Sequence, residues 1–192
     1  SKKITTTTIT MASKNLSGAI LGMCNPLLDI SVDAPLDLLA KYELTLNNAI
    51  LAEDKHLPLY DELIANFPVQ YIAGGATQNS IRVAQWMLGV PGSTAYFGAI
   101  GSDSYGQTLE QCALEDGVKV IYQKNPEVST GTCAVLVNNG ERSLVANLAA
   151  ANTFTHAHLD TAEAKEAVAK AQIVYISGFF LTVSMDSIMT VA

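Results

Sequence analysis

The sequence predicts an α/β fold, a mostly parallel sheet flanked by helices, with a small β appendage. Three observations predict it. From Ile72 to Tyr122 the pattern runs strand, helix, strand, helix, strand, the alternation of a parallel sheet with crossover helices. Residues 132–137 and 142–147 are extended runs joined by Asn138-Asn139-Gly140-Glu141, and Asn-Gly between apolar runs signals a hairpin. A hairpin inside the alternation implies a separate antiparallel element, and the alternation resumes after Ala151.

Residues 1–17 are Thr-rich, lack the apolar stretch of a secretory signal and read as a loose extension in which Met11 is a potential start. Residues 18–24 form an apolar run ended by Asn25-Pro26, as expected of a buried parallel strand. Leu27–Asp33 alternates Leu28, Ile30 and Val32 against Asp29, Ser31 and Asp33, so a second strand leaves the main sheet at the Asn-Pro corner. It can pair with the hairpin. Pro35 and Asp37 open a short helix over 36–42, and residues 50–52 form a brief extended link. A further helix lies within 54–66. Pro58 would cost a helix interior about 3 kcal/mol, so the regular helix is expected to start there.

Residues 69–73 alternate as a strand, and residues 78–88 are helical with Ile81, Ala84, Met87 and Leu88 near helical spacing. Between them lies Gly74-Gly75. Glycine permits a tight turn and close approach of a ligand to bare backbone, and the first amides of a helix point at whatever fills that turn. Pro91-Gly92 breaks the chain before a strand at 94–97 and a glycine-spaced loop, Gly98 to Gly106. A helix over about 105–116 is closed by Gly117, followed by a strand at 118–122. Asp160 with Glu163 has capping-box spacing for a helix reaching Gln172. Residues 173–177 read as a buried strand, and Ser184 as the cap of a last helix, where Ile188, Met189 and Val191 form a face awaiting a partner. A parallel crossover needs its next strand, so the sequence is expected to be part of a larger α/β protein.

At 192 residues, 49% hydrophobic and 15% charged, the chain can bury a sizeable core. A net charge of −7 without a Lys/Arg run argues against nucleic acid and anionic membrane surfaces as partners. No apolar run is long enough to span a bilayer. Cys24, Cys112 and Cys133 are widely spaced and odd in number, which suits reduced thiols in a cytosolic setting, and none has metal-ligand spacing. There is no G-x-x-x-x-G-K-[ST], no G-x-G-x-x-G and no nucleophile elbow.

Asp29, near the Asn-Pro corner, reads either as a solvated residue on the polar face of an edge strand or as a cleft carboxylate able to accept two vicinal hydroxyls. Asn79 is a sugar-hydroxyl donor or a helix cap, a role for which Thr77 competes. Asp103 reads as a helix cap. Arg142 is an edge-protecting charge or a phosphate clamp. Phe179 and Phe180 follow a strand at its carboxyl end, where ligand crevices of open α/β sheets lie, or belong to the core. His56, His156 and His158 are expected at the surface.

Asn25-Pro26-Leu27-Leu28-Asp29-Ile30, Ala73-Gly74-Gly75 with Thr77-Gln78-Asn79-Ser80, the Gly98/Gly101/Asp103/Gly106 pattern, Thr130-Gly131-Thr132-Cys133, and Asn147-Leu148-Ala149-Ala150-Ala151-Asn152 together resemble the adenosine kinases of the ribokinase-like superfamily. The resemblance runs from about Ser17 to the end. It implies a Rossmann-like domain (17–26, 74–129 and 148–192), incomplete at its C-terminal side, with lid elements at 27–73 and 130–147 and a loose extension at 1–16. It implies transfer of the ATP γ-phosphoryl group to the adenosine 5′-hydroxyl with Mg²⁺, in the cytoplasm or nucleus, and the helices interrupting the lid favour a monomer. By matching positions, Asp29 would hold the ribose diol, with Asn25, Gly74, Gly75 and Asn79 around the sugar. Leu27, Leu51, Cys133, Leu144, Ala146 and Phe179 would wall the base, and Arg142 would approach the phosphates. Two departures stand out: Ala76 where the family often has Ser, and no Gly-x-Gly-Asp motif for the catalytic base, which with the Asn-x-x-Glu motif would lie beyond Ala192. A related sugar or nucleoside kinase and a non-catalytic nucleoside-binding module are the alternatives.

Overall fold

The computed structural model describes residues 16–192, so the expectation for the first residues lies outside the described part apart from its last few positions. The chain builds two sheets. The first has four parallel strands in the order β6 (Lys119–Asn125), β5 (Thr94–Gly101), β1 (Ile20–Met23), β9 (Ile173–Tyr175). The second has five, in the order β3 (Ala49–Leu51), β8 (Glu141–Asn147), β7 (Thr132–Asn138), β2 (Leu27–Asp33), β4 (Gln70–Gly74). In the second sheet β2 runs parallel to β7 and antiparallel to β4, while β7 and β8 form the expected hairpin. Its two-residue turn, Asn139-Gly140, has φ of 50° and 83°, the positive pair that a right-twisted hairpin demands.

The helices are α1 (Leu36–Lys41), α2 (Leu57–Asn66), α3 (Ala76–Leu88), α4 (Ser104–Glu115), α5 (Ala162–Lys170) and α6 (Met185–Val191), with 3-10 turns between several of them. Pro58 falls in the first turn of α2, where its missing N–H costs nothing. Gly117 follows α4 with φ of 84°. Each sheet has a core cluster, and Leu28 and Ala73 of the second sheet are buried in the cluster of the first. Tyr96, Phe97, Ile100, Leu109 and Phe180 are fully buried around the parallel sheet. Ile30, Leu59, Leu63, Leu136 and Val145 pack the second sheet against α1 and α2. Each such fully buried side chain contributes about 1.5–3 kcal/mol.

Several expectations change. β4 does not join the parallel sheet, because its partner is the outgoing strand β2. Gly98 to Gly101 is not loop but the end of β5, paired with β6 as far as Asn125. Glycine is needed at Gly98 because a Cβ there would overlap Pro26 and the Cys24 carbonyl at the corner. β9 is an edge strand, and Ile173 and Tyr175 are 59% and 44% exposed rather than buried. Thr161, not Asp160, caps α5 by accepting from the Ala164 amide, while Asp160 pairs with Lys165. Ser184 precedes α6 but bonds the Ser187 hydroxyl instead of a helix amide. The last helix is not one open face: Val191 is buried and Met189 exposed.

His56 is also buried, at 2% exposure, because its Nδ1 accepts from the Glu53 amide and closes a capping box. Half-buried His158 meets the Ile121 carbonyl at 3.0 Å and packs edge-on against Phe97 and Phe154. His156 is exposed, as expected. All three cysteines are free.

Candidate functional site

The second sheet carries α1 and α2 on one face and presents the other face to a cavity. Strand alternation decides which residues look in. Register aligns Asp29 with Cys133, Cys133 with Ala146, and Ala146 with Leu51, so one row across four strands places a single carboxylate beside apolar groups. The next row on that face brings Leu144 beside Ala49. The parallel sheet closes the cavity from its carboxyl ends: Cys24 and Asn25 after β1, Gly75, Ala76 and Asn79 at the start of α3, and Gly178, Phe179 and Thr182 after β9.

The enclosed volume is about 560 Å³, within the range of small-molecule sites. Its walls include Asn25, Leu27, Asp29, Leu51, Gly75, Asn79, Cys133, Arg142, Leu144, Ala146 and Phe179, all candidates from the sequence. Gly74 is the exception. It does not line the cavity but lies behind Asp29, so close that a Cβ would overlap the carboxylate. Phe179 is 72% exposed at the rim, and its neighbour Phe180 is core. Cys24, Ala49, Ile50, Ala76, Leu148, Gly178 and Thr182 complete the lining. Ala49 was findable, since it lies two residues from Leu51 on the same strand face. Thr182 carried no signal, because it reaches the cavity only through a 3-10 turn.

The polar groups converge at one end. Gly75, with φ of 98°, is the N-cap of α3, and a Cβ on it would overlap the Asn25 carbonyl. No side chain caps this helix, so neither Thr77 nor Asn79 plays that part; Thr77 instead accepts from the Ser177 amide at 3.2 Å. The helix start thus faces the cavity with bare backbone, a suitable place for electron-rich groups. Asn25 is 6% exposed. Its Nδ2 donates to Asn152 Oδ1 at 3.3 Å, and its own Oδ1 is buried without a hydrogen-bond partner among the described residues.

Burial pushes the Asp29 carboxyl up to about 6, against the pull of Arg142 and then Arg82. Burial, with the nearby Asp29 charge, drives Cys133 up to about 12, so this thiol is a neutral wall and no nucleophile. Asp103 caps α4 through the Gly106 amide at 2.8 Å and also accepts from the Thr130 amide and hydroxyl at 2.8 and 2.6 Å. It therefore fastens the chain just before β7 to the parallel-sheet side. Among the described residues no group of three or more His, Cys, Asp or Glu side chains is placed to hold a metal ion, and no helix is long and apolar enough to cross a membrane.

Residues 36–192 match the model of the pfkB family carbohydrate kinases. The chain is 56% identical over 181 residues to adenosine kinase 2 of Arabidopsis thaliana, which covers 94% of this chain and 52% of that protein. Among solved structures it is similar to Anopheles gambiae adenosine kinase in complex with P1,P4-di(adenosine-5) tetraphosphate, with a TM-score of 0.84 and 51% identity over 91% of this chain and 52% of that one. It is also similar to Schistosoma mansoni adenosine kinase in complex with adenosine in an occluded loop conformation, with a TM-score of 0.84 and 36% identity over 91% of this chain and 51% of that one. The chain spans about half the length of the curated relatives it matches. The fold is the mixed α/β, ribokinase-like arrangement of these structures, and with the family model matched over most of its length this chain belongs to the pfkB family of carbohydrate kinases.

Proposed function

We propose that this chain is the nucleoside-binding half of an ATP-dependent adenosine kinase, which phosphorylates the adenosine 5′-hydroxyl to give AMP. The observation that carries the reading is the shared cavity of Asp29, the Gly75 corner and Asn79, with an apolar wall beside Asp29 on the same sheet. Ionised Asp29 accepts two hydrogen bonds side by side, as a vicinal diol offers them. Asn79 and the backbone at Gly75 donate to the sugar from the other side. Leu51, Leu144, Ala146, Cys133 and Phe179 offer the base a surface on which its hydration is lost at little polar cost.

The five-stranded sheet serves as a lid, joined to the parallel sheet at the Asn25-Pro26 and Gly74-Gly75 corners and near Thr130 and Leu148. Arg142, on the lid side of the cavity, supplies positive charge toward the transferred phosphoryl group. Phosphoryl transfer is mainly positioning and charge stabilisation, and these residues position the acceptor. Mg²⁺ would accompany ATP, and among the described residues no group of three or more His, Cys, Asp or Glu side chains is placed to hold it.

Titrating adenosine against free ribose tests this reading. Adenosine is expected to bind at least tenfold more tightly, since the apolar wall recognises the base; equal binding of the two would point to a sugar kinase instead. The 192 residues by themselves are expected to give no AMP from labelled ATP and adenosine, and product formation would refute that assignment of roles.

A further inference from the structure

Arg82 stands behind the cavity rather than in it. Its Nε pairs with Asp116 Oδ2, at 2.5 Å, beyond the end of α4. Its Nη1 donates both to the Ala73 carbonyl, in strand β4 just before the glycine corner, and to Asn79 Oδ1 at 3.2 Å. Asn79 is one helical turn before Arg82 and lines the cavity. An amide whose oxygen accepts from a guanidinium must present its NH₂ elsewhere. The planar guanidinium donates to these three partners from two nitrogens in a fixed geometry, which the freely rotating lysine ammonium does not reproduce.

We infer that Arg82 is a positioning residue: with Asp116 it fixes the Asn79 amide so that its donors face the cavity, and it ties the Gly74-Gly75 corner to α3. This rests on the nucleoside reading above. The consequence is a polarity across the sugar end of the site. Asp29 accepts and Asn79 donates, so a hydroxyl that gives its proton to Asp29 can receive a hydrogen bond from Asn79 at the same time. An amide freed from Arg82 would sample both orientations and lose that complementarity. Selectivity for a hydroxylated sugar is therefore set in part by a cation that does not touch the ligand.

The test is a double-mutant cycle in the longest natural polypeptide that carries these residues, measuring KM and kcat with adenosine, 2′-deoxyadenosine and 3′-deoxyadenosine. Wild-type turnover of adenosine bears on the functional reading, and the cycle bears on Arg82 alone. R82M is expected to raise KM for adenosine about tenfold with kcat held within about threefold, and to shrink the preference for adenosine over one of the deoxynucleosides. In an N79A background, R82M is expected to change KM less than twofold. R82K should recover only part of the loss. D116N, which leaves Arg82 in place, should shift KM in the same direction by a smaller factor, and it serves as the readout if R82M does not fold. Additive effects of R82M and N79A, or a wild-type KM and hydroxyl preference in folded R82M, would overturn the inference.

Discussion

Asp29 is a carboxylate placed where burial makes ionisation unfavourable. Its carboxyl titrates near 6 in the fold and at 3.8 when exposed, so between those values the folded state holds more protons than the unfolded one. The stability it contributes is full below pH 3.8 and is lost as pH rises through 6. Ionised Asp29 thus costs the ligand-free fold on the order of 2–3 kcal/mol at neutral pH. Asp29→Asn should raise the urea midpoint at pH 7.5 and do little near pH 4, while reducing adenosine affinity by about two orders of magnitude. The same titration makes wild-type affinity fall as pH drops below about 6, by roughly tenfold for each further pH unit, and calorimetry from pH 5 to 8 checks it. A flat profile would mean that the bound form does not need the carboxylate. From the sequence, Asp29 is open between a solvated edge and a cleft, because alternation assigns it a face but not what covers that face. His56 is buried against expectation for a related reason: a histidine closing a capping box has no wider signature than its spacing from Glu53.

At the scale of elements, the corner between β4 and α3 does the most. Gly75 combines a positive φ with no room for a Cβ beside the Asn25 carbonyl. Gly75→Ala is expected to destabilise the fold by about 2–4 kcal/mol and to remove nucleoside binding, read by thermal unfolding and titration. Gly140, also at positive φ but with open space around it, supplies the contrast: Gly140→Ala should cost about 1 kcal/mol and leave binding unchanged. Both glycines were legible, one from a strand-to-helix turn and one from Asn-Gly. The end of β5 was not, because Gly98 and Gly101 have the spacing of a loop while serving close packing inside a strand. Adjacent Asp160 and Thr161 were likewise indistinguishable as caps until the chain direction at α5 was known.

At the scale of the molecule, the cavity lies between two sheets, the parallel sheet closing it from its carboxyl ends. The sequence reveals the second sheet through its hairpin and the Asn-Pro corner. It does not reveal that β4 belongs there, since a strand's local pattern is the same whichever neighbour it pairs with. The Asp103–Thr130 junction is one of the joints. Burial raises the Asp103 carboxyl, but hydrogen bonds from Thr130 and Gly106 outweigh it and hold the group below its usual range. The stability it adds is present above pH 3.8 and is lost as pH falls below it. Asp103→Ala should lower stability by about 2 kcal/mol and loosen the entry to β7, visible as faster amide exchange at residues 130–133. Uniform exchange across the whole chain would argue against a local joint.

The most direct test of the central claim compares adenosine with 2′,3′-dideoxyadenosine by calorimetric titration at pH 7.5, on wild type and Asp29→Ala. Wild type should prefer adenosine by at least about 30-fold, and Asp29→Ala should bring the two ligands within a few-fold of each other. Equal affinities in wild type, or an unchanged preference after the substitution, would contradict a sugar grip built from Asp29 and the Gly74-Gly75 corner.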